Sequence, residues 1–177
     1  KGVITEKTQE LDKLTQNYHR SKSRLESLVN ITERYDGYGN SIRKIMELKD
    51  STPGILGVIA DIIKVEKQYE TAIETALGGT IQNIVTDKEN TAKELINYLK
   101  VNKLGRATFL PLNAIHSRNT LENDNCINEK GVVGVASNLV RVSFEYEGLA
   151  KYLLGRILVV DNIENALVIA RKYKYSL

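Results

Sequence analysis

Gly57-Val58-Ile59-Ala60-Asp61-Ile62-Ile63-Lys64-Val65 opens a stretch, running on to Asp87, that this chain uses twice. Shifted by 77 residues, Gly57, Val58, Val65, Tyr69, Glu70, Leu77 and Gly78 meet identical partners at Gly134, Val135, Val142, Tyr146, Glu147, Leu154 and Gly155. Ile62, Ile63 and Lys64 meet the like residues Leu139, Val140 and Arg141. Beyond the glycine the shift falls to 74, and Val85, Asp87 and Ala92 match Val159, Asp161 and Ala166. A repeat of this length implies two similar structural units related by a pseudo-twofold.

Each copy reads the same way. Ile55 to Val65 is rich in β-branched residues and predicts a short strand with an irregular end. Lys67 to Leu77 predicts a helix with Tyr69, Ala72, Ile73, Ala76 and Leu77 inward, stopped by Gly78 and Gly79. Ile81 to Thr86 predicts a strand. Asp87 and, at the matched site, Asp161 each suit a helix N-cap, a carboxylate pair being the alternative, and Ala92, Leu95, Ile96 and Leu99 form the next inner face. Lys103-Leu104-Gly105 turns the chain into a strand from Arg106 to Leu110, closed by Pro111. The second copy predicts a strand near Val132 to Val142 and a helix from Tyr146 to Leu154, stopped by Gly155. A strand from Ile157 to Val160 and a helix from Asn162 to about Tyr173 follow. No counterpart of the strand from Arg106 to Leu110 follows, so the second copy reads as one strand short. That strand is expected to be cut off, disordered or supplied by a partner, with this segment part of a longer protein, and the open edge is a pairing hazard or a pairing site.

Ahead of the repeat, residues 1–36 contain one glycine, Gly2, and no proline. A 3-4 spacing picks out Ile4, Lys7, Leu11, Leu14, Tyr18, Ser21, Leu25, Leu28, Thr32 and Tyr35, of which seven are apolar. This is the pattern of a coiled-coil arm; an amphipathic helix lying on the globular part is the alternative. Asp36 to Asn40, with Gly37 and Gly39, ends the arm, and a second helical period runs from Ser41 to Asp50. Pro53 confines Thr52 to extended geometry and closes it. Residues 113–131 are polar and read as a surface loop joining the copies. The division is an arm at 1–36, subdomain 1 at 37–112, that loop, and an incomplete subdomain 2 at 132–177.

The chemistry-bearing residues are sparse. Two histidines, His19 and His116, and one cysteine, Cys126, have no metal-site spacing. Neither a phosphate loop nor a Gly-x-Ser-x-Gly elbow occurs, and no catalytic site, cofactor or metal is expected in this segment. The lone Cys126 fits a reducing, cytoplasmic compartment. No apolar run is long enough for a membrane span, nor does a signal peptide start the chain. With a net charge of +3, weak contact with nucleic acid is compatible but not compelled. Two basic groups take matched places: Lys100, Lys103 and Arg106 after the last helix of the first copy, and Arg171, Lys172 and Lys174 after that of the second. They are candidate DNA-contacting residues; cations complementing two helix C-termini are the alternative.

Certain motifs are familiar in combination: Arg34-Tyr35-Asp36-Gly37-Tyr38-Gly39, then Pro53-Gly54-Ile55-Leu56-Gly57-Val58-Ile59-Ala60-Asp61, then Tyr69-Glu70-Thr71-Ala72-Ile73-Glu74-Thr75-Ala76-Leu77-Gly78-Gly79. Gln82-Asn83-Ile84-Val85 and Gly105-Arg106-Ala107-Thr108-Phe109-Leu110-Pro111-Leu112 complete the set. Residues 35–177 resemble the hinge domain of bacterial SMC (structural maintenance of chromosomes) proteins, and the heptads before them resemble the arm that enters it. The resemblance implies an α+β domain of two related subdomains at the far end of a long antiparallel coiled coil from an ATP-binding head. It implies that two hinges associate to join two SMC chains that condense and segregate the chromosome. It further implies weak DNA contact and a returning coiled-coil helix as partner. Hinges of that family continue with a final strand and a glycine-rich stretch important for dimerisation, neither of which is present in this sequence.

Overall fold

The computed structural model describes residues 2–116 and 119–176, with side chains from residue 5 onward, so the side chain of Ile4 lies outside the described residues. The arm is one helix, α1 (Gly2–Arg34). Within the heptad series its stripe stays out of this chain's core: Leu11, Leu14, Tyr18 and Leu25 are 61–63% exposed. At the base the seam changes register. Ile31 and Tyr35, one turn apart, enter the core, while Thr32 stays at the surface and donates its hydroxyl to the Leu28 carbonyl. The helix therefore leaves its heptad spacing where it meets the globular part.

α2 (Asn40–Met46) and a 3-10 turn (Lys49–Ser51) lead into the first sheet. That sheet contains β1 (Ile55–Val58), β3 (Ile84–Thr86) and β4 (Phe109–Pro111), in the order β1-β3-β4, antiparallel then parallel. α4 (Glu70–Leu77) and α5 (Glu89–Val101) are its helices. The second copy repeats this with β5 (Val132–Val135), α6 (Glu147–Leu154), β7 (Leu158–Val160) and α7 (Ile163–Tyr173). β5 and β7 pair antiparallel as β1 and β3 do. Both pairs bulge at the same place, between Ile55 and Gly57 and between Val132 and Gly134. A bulged residue needs unusual backbone freedom, and Gly57 takes φ +144°, which explains why this glycine recurs.

The stretches from Ile55 to Val65 and from Val132 to Val142 are not single strands. Each is broken after the bulge: by one helical turn, α3 (Ile59–Ile62), in the first copy and by a 3-10 turn (Ala136–Asn138) in the second. The break has a hydrogen-bond cause. Ile59 N–H turns aside to the Asn83 carbonyl at 3.1 Å, and its counterpart Ala136 N–H to the Ile157 carbonyl at 2.8 Å. The chain then resumes as β2 (Lys64–Val65) and β6 (Val140–Arg141), which pair antiparallel with each other and join the two copies.

Three apolar clusters follow from this arrangement. One lies inside the first copy and packs Tyr35, Ile45, Met46, Val58, Ile84 and Leu99. A second is shared: Ile59, Ile63, Ile73, Leu77 and Val85 of the first copy meet Ala136, Leu149 and Leu154 of the second. Fully burying a branched or aliphatic side chain contributes about 1.5–3 kcal/mol, so the shared cluster binds the copies far more firmly than the two-residue ribbon above it. The third cluster corrects the reading of residues 113–131 as a surface loop. That segment forms 3-10 turns (Leu112–Ala114, Leu121–Asn123 and Asn125–Asn128), and Leu121 and Cys126 are buried against Val135. Its polar composition hides two apolar anchors too far apart to show a period.

Smaller departures have similar causes. Ile96 is not on the inner face of α5 but 52% exposed, because the helix turns Thr91, Ala92, Leu95 and Leu99 inward instead. Ile81 and Gln82 belong to a 3-10 turn (Gly78–Gln82) before β3, and the strand expected from Arg106 to Leu110 is confined to Phe109–Pro111. Asp87 and Asp161 are braces and not N-caps. Their N–H groups are still committed to the carbonyls of Gly54 and Gly131, at 3.0 and 2.8 Å, so each helix begins two residues later. Their carboxylates accept from the residue four positions on, Thr91 at 2.5 Å and Asn165 at 2.9 Å. In the second copy the cap is Asn162, whose side chain accepts from the Asn165 N–H at 2.8 Å.

Candidate interaction surfaces

The two sheets differ in one respect. β3 has β1 on one side and β4 on the other, whereas β7 has β5 alone among the described residues. Beside β7 lies an open groove of about 550 Å³ whose lining is mainly apolar, with Leu158, Val160, Ile163 and Ile169 among it, and also includes Arg156 and Asn162. α7 also carries apolar residues where α5 is charged: Ile163 and Leu167 take the places of Glu89 and Lys93, and Ile163 is 60% exposed. An unpaired row of backbone N–H and C=O groups beside an apolar groove is a template for another strand. The exposed stripe on α1 is a second apolar surface of helical, not strand, geometry.

The basic residues take equivalent places at the ends of α5 and α7. Both helices finish in the same motif, with Leu104 N–H bonded to the Leu99 carbonyl and Tyr175 N–H to the Ala170 carbonyl, each at 3.0 Å. The residue before each is a lysine in the left-handed region, Lys103 at φ +53° and Lys174 at φ +56°. Lys100 and Arg171, three residues earlier, are equivalent as well and exposed. Arg106 is exposed in the turn after α5, where its carbonyl accepts the Ser41 hydroxyl at 2.6 Å. Lys172 stands apart. It donates to Glu129 at 2.6 Å, and Tyr173 donates to the same oxygen at 2.8 Å. These bonds, Lys172 first, hold the Glu129 carboxyl below its ordinary range and push Lys172 up. Lys172 is therefore a tether between α7 and the connecting segment, not a free cation. Tyr173 stacks on Tyr175, whose phenol is pushed up to about 12, first by its hydrogen bond to Cys126 and then by burial. No hydrogen bond or ion pair joins the two basic groups among the described residues.

Of the glycines singled out as turns, Gly37 at φ +90° and Gly78 at φ +49° occupy conformations that favour glycine. Gly155 does not: its φ is −68°, and a Cβ there would run into the Lys151 carbonyl and the Thr120 methyl. Gly39 precedes α2 at φ −58°, and a Cβ on Gly79 would meet nothing within 4 Å. Sequence reasoning missed Gly54 and Gly131, another pair related by the 77-residue shift, where an added Cβ would strike the Asp87–Thr91 and Asp161–Asn165 braces. It also missed Asp61, which receives the arm. Among the described residues no group of His, Cys, Asp and Glu is placed to hold a metal, and none of the helices is long and apolar enough to cross a membrane.

The arrangement of two pseudo-symmetric units behind a helical arm has a known counterpart. The SMC proteins Flexible Hinge Domain profile matches residues 52–170. The chain belongs to the SMC hinge family. Its hinge is 38% identical to that in a crystal structure of an asymmetric dimer of the Geobacillus stearothermophilus SMC hinge domain, with a TM-score of 0.77 over 94% of this chain and 67% of that one. The Pyrococcus furiosus SMC hinge is 35% identical with a TM-score of 0.61, over 81% of this chain and 75% of that one. Among whole proteins, the chromosome partition protein Smc of Clostridium kluyveri is 37% identical over 99% of this chain, and that of Bacillus subtilis 34% over 88%. The chain spans only 15% and 13% of those two proteins.

Proposed function

We propose that this hinge joins two SMC molecules, in the cytoplasm and on the chromosome, by associating with a second hinge, and that its contribution is structural and not catalytic. The open edge of β7 carries this reading: a sheet one strand short of its internal twin, with an apolar groove beside it, fits strand addition. The strand comes from a second hinge. The dimeric Geobacillus hinge supports the same reading. The exposed stripe of α1 is the face for the returning helix of the coiled coil. Sedimentation of the hinge together with the parent residues that follow it tests self-association, with Val160→Lys as the variant that puts a charge into the groove. Dimers that Val160→Lys disrupts are the expected result; a monomer at high concentration removes the proposal.

A second reading, weak DNA contact, draws support from the equivalence of Lys100 with Arg171 and of Lys103 with Lys174, which sets exposed cations at two matched points. Binding through phosphates falls steeply with salt. Titration of single- and double-stranded DNA at two salt concentrations is expected to show that dependence, weakened by Lys103→Glu and Lys174→Glu. No binding at low salt removes this reading.

A further inference from the structure

Besides the Ser27 hydroxyl, which donates to Asp50 at 3.2 Å, and the apolar seat of Ile31, the arm is fastened to the globular part through the Asp61 carboxylate. Arg34, the last residue of α1, donates from Nη2 to Asp61 Oδ1 at 2.7 Å, and the hydroxyl of Tyr35 donates to Oδ2 of the same residue. Tyr35 is 3% exposed, with its ring in the first-copy cluster and edge-to-face against Tyr38. Arg34 lies over that ring at 5.9 Å. Burial pushes the Tyr35 phenol well up, and the hydrogen bond to Asp61 adds to it, so the proton stays on the tyrosine and the donor geometry holds.

Asp61 lies on α3, the turn that breaks β1 from β2. The same turn buries Ile59 and, just after it, Ile63 in the cluster shared with the second copy. The next residue, Lys64, pairs with Arg141 across the joint. One short element thus has a polar face gripped by the arm and an apolar face seated between the two copies. The matched position in the second copy is Asn138, exposed, on a 3-10 turn. The repeat needs the turn in both copies but has the carboxylate only where an arm arrives, so Asp61 is not required by the turn itself.

We propose that Arg34, Tyr35 and Asp61 form a clamp that sets the direction in which the arm leaves the hinge and ties it to the packing between the two subdomains through α3. Rotation of the arm then cannot occur without displacing α3, and loosening of the subdomain joint frees the arm. The clamp lies within a single chain and does not depend on self-association.

The test is a spin-label distance distribution between Ser23→Cys on the arm and Lys151→Cys on α6, in a Cys126→Ala background. Amide exchange at β2 and β6 is measured beside it. Asp61→Asn, Tyr35→Phe and Arg34→Gln are each expected to broaden the distribution at least twofold. They should also speed exchange of the Lys64, Val65 and Val140 amides several-fold over those of β1 and β3. Tyr35→Phe keeps the ring in the core, so it decides the matter if Asp61→Asn unfolds. A distribution unchanged in folded Tyr35→Phe and Arg34→Gln overturns the clamp. Broadening without faster exchange at β2 and β6 overturns its link to the joint.

Discussion

Lys64 faces Arg141 across the β2–β6 ribbon, and the two are the same residue of the repeat, 77 positions apart. A residue paired with its own counterpart marks a pseudo-twofold axis, here at the joint between the copies. The axis brings two cations opposite each other, an arrangement that costs a cross-strand pair some stability. Arg141 is relieved by an ion pair with Glu66; Lys64 has no ion-pair partner among the described residues.

Replacing one of these cations should strengthen the joint. Lys64→Glu is expected to raise stability by about 0.5 kcal/mol, the middle of the range for opposite-charge cross-strand pairs. Urea unfolding at low salt measures it, and the gain should shrink in high salt. A loss of stability would mean that Lys64 has a favourable role at the axis.

Gly54 and Gly131 test the repeated brace. A Cβ on Gly54 would lie 2.7 Å from both Asp87 Oδ1 and Thr91 Oγ1, and Gly131 has a similar clash together with φ +87°. Gly54→Ala is expected to cost about 1–3 kcal/mol by overpacking. Gly131→Ala should cost more, since a left-handed alanine adds about 1–2 kcal/mol. Thermal melts of both variants check the order; equal losses would mean that the loop before β5 relaxes.

The repeat itself was legible because bulge, turn and helix stop each call for glycine or a short polar residue at a set place. Gly57, Gly78 and Asp87 are readable for that reason, as is the lack of a third strand beside β7 among the described residues. Other features leave no local trace. The break after Val58 depends on the Asn83 carbonyl, and the burial of Leu121 and Cys126 depends on Val135 and Tyr175. Matched basic groups were legible as a pattern, but Lys172 differs from its neighbours only because Glu129, distant in sequence, lies beneath it. Asp61 looked like part of an irregular strand end, since nothing in its own segment points to Arg34.

The two left-handed lysines allow charge and strain to be separated. Lys103→Gly and Lys174→Gly each relieve a side chain from the left-handed region, offset in part by the greater freedom of glycine in the unfolded chain. Each is expected to stabilise by about 0.5 kcal/mol in chemical denaturation. If DNA affinity falls in the same variants, the lysines contact phosphate; if affinity is unchanged, they serve the helix ends alone.

Acid should release α7 from the connecting segment. Glu129 has a folded value below its ordinary 4.5, so its contribution is complete above that value and disappears as pH falls through the lower one. The melting temperature of Glu129→Gln is expected to lie below that of the parent at neutral pH and to converge with it in acid. Parallel curves at every pH would show that the Lys172 tether adds nothing to stability.

The central claim is that the hinge self-associates through the unpaired edge of its second sheet. Sedimentation equilibrium of the hinge with the parent residues that follow it, beside its Val160→Lys variant, is the most direct measurement. The account predicts a parent of twice its chain mass and a variant of one chain mass at the same concentration. A parent that stays at one chain mass at the highest concentration reached, or a dimer that Val160→Lys leaves intact, would contradict it.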